Sequence, residues 1–140
     1  MVNPVNQSAT PTASEAVFMR QVMLALGRRG GLRLWRQNVA TVAVRDDVGR
    51  VQRVFKAGPP KGAADLSGIV LPEGWRLEIE VKSAHGKLSE HQLRWGKFIE
   101  RAGGVYVLLH YDASESMGGN VRAAEQLVEQ AITARRMRLA

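Results

Sequence analysis

The strongest constraint on the fold is the nine-residue stretch WRLEIEVKS at 75–83, where apolar and ionisable residues alternate. Because successive side chains of a β-strand point to opposite faces, this alternation predicts a strand. One face would be aliphatic and the other ionisable, with Leu77, Ile79 and Val81 opposite Glu78, Glu80 and Lys82. Ionisable side chains are inexpensive to place in water and costly to bury. The row is therefore either the solvated face of an edge strand or part of a functional site.

Three other segments have the spacing of amphipathic helices. The first begins at TASE, where Thr12 and Glu15 have the spacing of a capping box. The second, SEHQLRWGKFIERAGG, has the same spacing in Ser89 and Gln92 and ends at a glycine pair. The third lies at 120–140. Together with the strand at 75–83, these helices indicate a mixed α/β domain.

The remaining apolar segments predict further strands. LRLWRQNVATVAVR and RVQRVFK, joined by the turn DDVG, predict a β-hairpin at 32–57. DLSGIVL predicts a short strand that the turn PEG joins to the strand at 75–83, and VYVLLHY is typical of a strand buried on both faces. We expect a mixed α/β fold, roughly in the order αβββαβα, with a central mixed sheet flanked by helices. A single domain at 14–140 would follow a flexible tail at 1–13.

Composition excludes some kinds of site and favours a polyanionic partner. The chain has no Cys, so disulfides and cysteine-based zinc sites are ruled out. Its net charge is +7, and the excess of Lys and Arg lies in the early segments GRRGGLRLWR and VGRVQRVFK. A basic surface favours nucleic acid as a partner, although a merely soluble basic protein would have the same composition. The absence of a membrane-spanning apolar run and of a secretion signal predicts a cytoplasmic location.

A second feature, the stretch KGAADLSGI at 61–69, places an Asp at the start of a predicted strand. Because the PEG turn is tight, the hairpin would bring the carboxylate of Asp65 close to that of Glu80. Two carboxylates on adjacent strands can hold a hard divalent cation such as Mg²⁺, which prefers oxygen ligands and retains waters. A neighbouring Lys82 could orient or deprotonate a water and offset charge on a phosphate. This combination predicts metal-assisted phosphodiester hydrolysis.

These pieces resemble the PD-(D/E)XK nuclease superfamily, and more closely its VRR-NUC branch. The resemblance lies in SEAVFMRQVM, RQN, GPPKGAADLSGIV and LEIEVKSAHGKLSEHQLRWGKFIERAGGVYVLL, which span roughly residues 14–110. Ala64 stands where the superfamily usually has Pro before the Asp. The resemblance implies a restriction-endonuclease-like core and the activity of a metal-dependent DNA endonuclease.

The resemblance also implies a role for each matching residue at the centre of the site. Asp65 and Glu80 would be catalytic residues and ligands of Mg²⁺ or Mn²⁺. The main-chain carbonyl of Val81 would be a further metal ligand. Lys82 would position the attacking water or stabilise the developing negative charge.

Two helical residues match positions near the active site of the branch. Gln92 would lie at the site as a catalytic residue, and Glu15 would reach a metal directly or through a water. Each residue also has a purely structural interpretation, because Gln92 and Glu15 are the capping-box partners of Ser89 and Thr12.

A set of basic residues is predicted to contact the nucleic-acid backbone. Two lysines flank the proposed site, and four arginines lie in the early basic segment, where the alternative is a solvated surface. These residues are Lys61, Lys87, Arg28, Arg29, Arg33 and Arg36.

The resemblance favours a structure-selective task such as Holliday-junction resolution. A resolvase cuts two strands symmetrically, so we expect a homodimer. Stand-alone family members of this length are phage- or bacterium-like, which is consistent with the cytoplasm of a bacterial or phage-infected cell. A nickase, a flap nuclease or a restriction-type nuclease would have the same centre. The alternative from another class is a nucleic-acid-binding module without catalysis.

Overall fold

A computed structural model describes residues 12–38 and 40–139, so the predicted tail lies almost entirely outside the described residues. Three helices and six strands are present in this part of the chain. Their order is α1 (Ala13–Arg28), β1 (Leu32–Arg36), β2 (Ala40–Arg45), β3 (Val51–Ala57), β4 (Leu66–Val70), β5 (Trp75–Ser83), α2 (Glu90–Arg101), β6 (Val105–Tyr111) and α3 (Met117–Met137).

Four of the strands form a mixed central sheet in the order β1-β4-β5-β6. The pairs β1–β4 and β4–β5 are antiparallel, whereas β6 runs parallel to β5. The parallel pair requires a crossover, which α2 supplies. The predicted mixed α/β fold with a central mixed sheet flanked by helices is therefore confirmed.

The alternation along β5 separates the two faces of this sheet. The aliphatic face packs against α1 and α3 and forms the hydrophobic core. The buried residues of this core come from α1, β4, β5, β6 and α3: Phe18, Val22, Leu26, Leu66, Val70, Leu77, Ile79, Val105, Val107, Leu109, Ala124, Val128 and Ile132.

The opposite face of the sheet carries the ionisable residues and is covered in part by α2. Ser89 caps this helix, and the predicted capping box with Gln92 is present in both directions. Gly96 leaves room for the ring of Tyr106 on β6, since an added Cβ would lie 3.0 Å from ring atoms. Ile99 is also buried on this helix. The central sheet thus lies between two helical layers, and α2 is the only helix of the described residues on its polar side.

The predicted hairpin is confirmed at 40–57, where β2 pairs with β3 across the DDVG turn. Its extension back to residue 32 is wrong, because the first predicted strand divides near Gln37. Strand β1 ends at Arg36 and pairs with β4, whereas β2 pairs with β3 in a separate two-stranded sheet. The side chain of Gln37 donates to the carboxylate of Glu78, and its N–H donates to the carbonyl of Asp65. These bonds hold the chain at the end of β1. Five strands therefore lie between α1 and α2. The segments predicted four strands there, and the rough order αβββαβα has three.

Strand β6 also differs from its prediction. It forms an edge of the sheet, and its residues alternate between buried and half-buried up to Leu109. Its continuous apolar sequence is explained by α2, which covers part of the second face. No helix in residues 12–38 and 40–139 is long and apolar enough to cross a membrane.

Candidate active site

The register between β4 and β5 brings Asp65 beside Glu80. Leu66 pairs with Ile79 and Ser67 with Glu78, so one step further along the hairpin sets Asp65 opposite Glu80. Residues that face each other across antiparallel strands project to the same side of a sheet. Both carboxylates therefore lie on the polar face, next to the N-terminal end of α2.

Asp65 is held by main-chain bonds on both sides. Its Oδ2 accepts the N–H of Val81 at 2.8 Å, and its carbonyl accepts the N–H of Gln37 at 2.9 Å. Burial raises the pKa of Asp65, while the bond from Val81 and the charges of Lys82 and Arg36 oppose this rise. The carboxylate is thus fixed in position and partly desolvated.

Glu80 is only 4% exposed and has an incomplete set of partners. Its Oε1 accepts from Nε2 of Gln92 at 2.7 Å and lies 3.6 Å from Nζ of Lys82. Its Oε2 is buried and has no hydrogen-bond partner among the described residues. Burial, followed by the charge of Asp65, raises the pKa of Glu80 to about 7, against the opposing effect of Lys82.

Glu78, two residues earlier on the same face, is completely buried and fully partnered. A buried carboxylate is tolerated when charged and polar donors surround it. Its donors come from the residue after β1, the loop before β4, β4, β5 and α2, with hydrogen-bond distances of 2.8 to 3.3 Å: Gln37, Ala64, Ser67, Arg76 and Trp95. Glu78 therefore ties together the elements that carry Asp65, Glu80 and Gln92.

Two residues on one face of α2 bond to the two glutamates on one face of β5. Gln92 and Trp95 are three residues apart and lie on one helix face, about 4.5 Å apart along the axis. Glu78 and Glu80 are two apart on one strand face, about 6.6 Å along the strand. Gln92 donates to Glu80 and Trp95 donates to Glu78. The helix is consequently bound to the strand at two successive carboxylates.

The capping interpretation of Gln92 is confirmed, and the same side chain also contacts Glu80. Its Oε1 accepts the N–H of Ser89 at 2.8 Å, which closes the capping box. Its Nε2 donates to Glu80 at the same time. An amide can serve both purposes because it has an acceptor and a donor.

Glu15 also has its capping box, since its Oε2 accepts the N–H of Thr12 at 3.0 Å. Its charge is near enough to contribute to the raised pKa of Asp65, although it is the weakest of the causes. Within residues 12–38 and 40–139, no three His, Cys, Asp or Glu side chains are grouped closely enough to hold a metal ion. Glu15 therefore does not complete a set of three carboxylates with Asp65 and Glu80.

The sequence interpretation gave no role to Tyr106, which lies next to Glu78 in the parallel register of β5 and β6. Its hydroxyl is buried without a hydrogen-bond partner in the described part of the chain. Burial raises the pKa of Tyr106, and the charges of Glu80, Glu78 and Asp65 raise it further. The site thus holds two buried polar atoms without partners, this hydroxyl and Oε2 of Glu80.

Some of the predicted basic residues lie near the carboxylates. Lys82 and Arg36 are close enough to Asp65 for their charges to oppose the rise that burial causes in its pKa. Lys61 is exposed in a turn shortly before Asp65, in which the N–H of Ala63 donates to the carbonyl of Pro60. Lys87 is exposed in the loop between β5 and α2.

Other predicted basic residues lie elsewhere. Arg28 ends α1, thirteen residues after Glu15, which corresponds to about 20 Å along a helix. Arg29 is paired with two glutamates of α3, Glu125 at 2.5 Å and Glu129. Arg33 is on β1, three residues before Arg36, or about 10 Å along the strand. Arg29 is therefore engaged in joining α1 to α3.

Sequence reasoning counted Glu78 on the ionisable face but assigned it no function. It likewise left Gln37, Ser67 and Trp95 without a role at the site. The usable signal was that Gln92 and Trp95 share one helix face and that Glu78 and Glu80 share one strand face. That signal predicts a helix docked on a strand only once the two elements are known to face each other.

Comparison with known proteins adds no relative. No family model matches the chain. No curated protein is significantly similar to it. The chemistry of the site residues is therefore the guide to function.

Proposed function

We propose that the chain is a metal-dependent DNA endonuclease that hydrolyses phosphodiester bonds. The observation that carries the proposal is the pair of carboxylates Asp65 and Glu80, side by side on one sheet face with Lys82 beside them. Both carboxylates have a raised pKa, which indicates that a nearby positive charge would stabilise their ionised forms. The net charge of +7 supports a polyanionic substrate.

The residues present fit a hard divalent cation. Mg²⁺ takes oxygen ligands and usually retains waters, so one or two carboxylates suffice to hold it. The unpartnered Oε2 of Glu80 is a suitable ligand atom, because a buried acceptor without a partner costs free energy. Asp65, Glu80 and the carbonyl of Val81 would hold Mg²⁺ or Mn²⁺. When bound, the ion would polarise a phosphoryl oxygen and lower the pKa of a water.

The protein's own groups position the reacting atoms. The N–H of Val81 holds Oδ2 of Asp65, and the amide of Gln92 holds Oε1 of Glu80. Oε2 of Glu80 has no hydrogen-bond partner among the described residues. Lys82 would orient the attacking water and offset the negative charge that develops on the phosphate. Glu78 would keep α2 and β5 in the relative position that these contacts require.

We further propose that the sheet is a restriction-endonuclease-like core and that the enzyme selects branched DNA such as a Holliday junction. The succession β4, β5, α2 and β6, with Asp65 directly before β4 and Glu80 and Lys82 on β5, supports the first statement. A homodimer would supply two such sites related by a two-fold axis, as symmetric cutting of two strands requires.

The test is a panel of DNA substrates incubated with Mg²⁺ or Mn²⁺: linear duplex, supercoiled plasmid, flap and four-way junction. We expect metal-dependent cleavage, strongest on the junction. Asp65→Asn and Glu80→Gln should abolish cleavage while DNA binding persists, and Lys82→Ala should reduce turnover strongly. Glu100→Gln, the same kind of change at an exposed residue of α2, is the matched control and should retain full activity.

Two outcomes would contradict the proposal. Full activity in all three site variants would remove Asp65, Glu80 and Lys82 from the chemistry. Binding of the panel without cleavage by either metal would instead favour a nucleic-acid-binding module. If the chain nicks the plasmid or cuts the flap but does not cleave the junction, the proposal of a hydrolase stands and the proposal of junction resolution is rejected.

A further inference from the structure

The hairpin formed by β2, β3 and their turn at 40–57, hereafter the ribbon, stands apart from the central sheet. Its two strands pair with each other, and neither joins the four-stranded sheet. Every residue of β3 is exposed. Because an isolated two-stranded hairpin is only marginally stable in water, a surface of this kind is usually completed by a partner.

Both ends of the ribbon lead directly into the candidate active site. Gln37, three residues before β2, is bonded to Glu78 and to the carbonyl of Asp65. After β3, the loop at 58–64 returns to Asp65, and the N–H of Ala64 donates to Glu78. The chain on both sides of the ribbon's base is therefore anchored at Asp65 and Glu78, next to the candidate site.

The charge on the ribbon favours a polyanion. The charged residues on its strands are Arg45, Arg53 and Lys56, all of them basic. Neither Arg53 nor Lys56 forms a salt bridge with a described residue. The two acidic residues lie in the turn, where Asp46 accepts the N–H of Val48 and of Arg50.

Apolar side chains accompany these charges. Phe55 is 44% exposed and Val54 is 59% exposed. The guanidinium of Arg53 lies 5.8 Å from the centroid of the Phe55 ring. Exposed apolar and aromatic groups beside basic ones suit contacts to bases and sugars between two rows of phosphates.

The dimensions of the ribbon match one groove of duplex DNA. The major groove of B-form DNA is about 12 Å wide and admits a two-stranded β-ribbon. Strand β3 has seven residues, which extend about 24 Å. That length corresponds to about seven base pairs.

We propose that the ribbon inserts into the major groove of duplex DNA immediately beside the scissile phosphate. This inference rests on the proposed function, since it names the surface that grips the substrate of the same site. A second copy of the chain is less favoured as the occupant. Two ribbons packed together would oppose their basic strands, and like charges across paired strands are destabilising.

The test measures equilibrium binding of a fluorescent duplex of about 30 base pairs in the Asp65→Asn background, without a divalent metal, over a range of salt concentrations. The ribbon variant carries Arg53→Ala and Lys56→Ala. We expect its affinity to fall about tenfold or more at moderate salt, and the slope of log K against log[salt] to decrease by about 1.8. The matched control removes the same charge from α3 and its C-cap with Arg122→Ala and Arg138→Ala. It should change the affinity less than about twofold.

A second comparison tests insertion in the groove separately from general attraction. A-form duplex RNA has a deep, narrow major groove that side chains cannot read. The affinity for RNA of the same sequence should therefore be nearly equal in the ribbon variant and its parent. Phe55→Ala should weaken DNA binding without changing the salt slope.

Three results would overturn the proposal: an unchanged DNA affinity and slope in the ribbon variant, an equal loss of affinity on duplex RNA, or a shift from dimer to monomer by sedimentation with DNA affinity intact.

Should the double variant fail to fold by circular dichroism, Lys56→Glu alone tests the same contact. If the wild-type chain cleaves no DNA but its binding depends on the ribbon, the endonuclease proposal is refuted and the ribbon proposal stands. If the wild type cleaves DNA but its binding does not depend on the ribbon, the ribbon proposal is refuted and the endonuclease proposal stands.

Discussion

At the scale of single residues, the two glutamates of β5 have opposite surroundings. Glu78 accepts from five residues and has both oxygens partnered. Glu80 has one amide donor, one nearby lysine and an oxygen without a partner in the described residues. Glu78 is therefore suited to hold the framework, whereas Glu80 is suited to accept a ligand.

The first prediction concerns the pH dependence of stability in the metal-free protein. The pKa of Glu80 is raised from 4.5 to about 7, so between these values the folded chain holds a proton that the unfolded chain has released. The free energy of unfolding should therefore fall as pH rises through this window, by at most about 3 kcal/mol. The raised pKa of Asp65 acts in the same direction.

Urea denaturation of the wild type and of Glu80→Gln at pH 5 and pH 7.5 measures this effect. The variant cannot release the proton, so its stability should change less between the two values. An identical change in both proteins would show that Glu80 does not titrate in this range.

The second prediction concerns the support that Glu78 provides. Glu78→Gln replaces one acceptor oxygen by an NH₂ group that faces buried donors. We expect a loss of about 2–4 kcal/mol in the free energy of unfolding, because buried donors lose their acceptor. Chemical denaturation gives the value, and Glu100→Gln should remain within about 0.5 kcal/mol of the wild type. Equal stability of the two variants would contradict the structural role of Glu78.

At the scale of elements, the packing of β1 against β4 depends on one glycine. A Cβ added at Gly68 would meet the main-chain carbonyl of Arg33 and the side chain of Leu34. Backbone atoms cannot move aside without separating the strands. This close approach keeps β1 in the sheet and thereby brings Gln37 to Glu78.

The third prediction follows from that contact. Gly68→Ala should destabilise the protein by about 2–3 kcal/mol, because it overpacks a backbone interface. Gly27→Ala is the matched control on α1, where nothing lies within 4 Å of the added Cβ. It should stabilise by up to about 1 kcal/mol, since Ala is favoured over Gly in a helix. Thermal denaturation of both variants should move in opposite directions, and a common direction would contradict this account.

At the scale of the whole molecule, the central sheet and the ribbon differ in how they are stabilised. The sheet has a hydrophobic core with α1 and α3 on one side and α2 on the other. The ribbon is stabilised by its own strand pairing and turn bonds, and β3 is exposed throughout. The two parts should therefore open independently.

The fourth prediction expresses this difference as hydrogen exchange. Without DNA, amides of β3 should exchange through local opening that costs about 0–2 kcal/mol, whereas those of β5 should approach the global free energy of unfolding. Native-state exchange read by NMR or mass spectrometry distinguishes the two. Equal protection of β3 and β5 would mean that the ribbon is part of the core.

Much of the local structure could be predicted, because its signals lie within a few residues of each other. The alternation at 75–83 identified β5 and its two faces, and the pairs Thr12–Glu15 and Ser89–Gln92 identified two helix starts. The position of Asp65 beside Glu80 was predictable for the same reason, since only a short turn separates their strands. The first strand of the hairpin predicted at 32–57 was wrong, because β-propensity does not reveal which strand is the partner.

By itself the sequence determined most of the elements and the two faces of β5, and it indicated the residues proposed for metal-assisted chemistry. These depend on local spacing and side-chain type. Only the tertiary structure decided that β1 belongs to the central sheet and that the ribbon forms a separate sheet. It also decided that Glu78 is buried and accepts hydrogen bonds from protein groups and not from solvent. These facts depend on contacts between distant parts of the chain, such as the bond from Gln37 to Glu78 across 41 residues. No local pattern encodes such a contact, because its free energy exists only after the sheet and α2 have packed together.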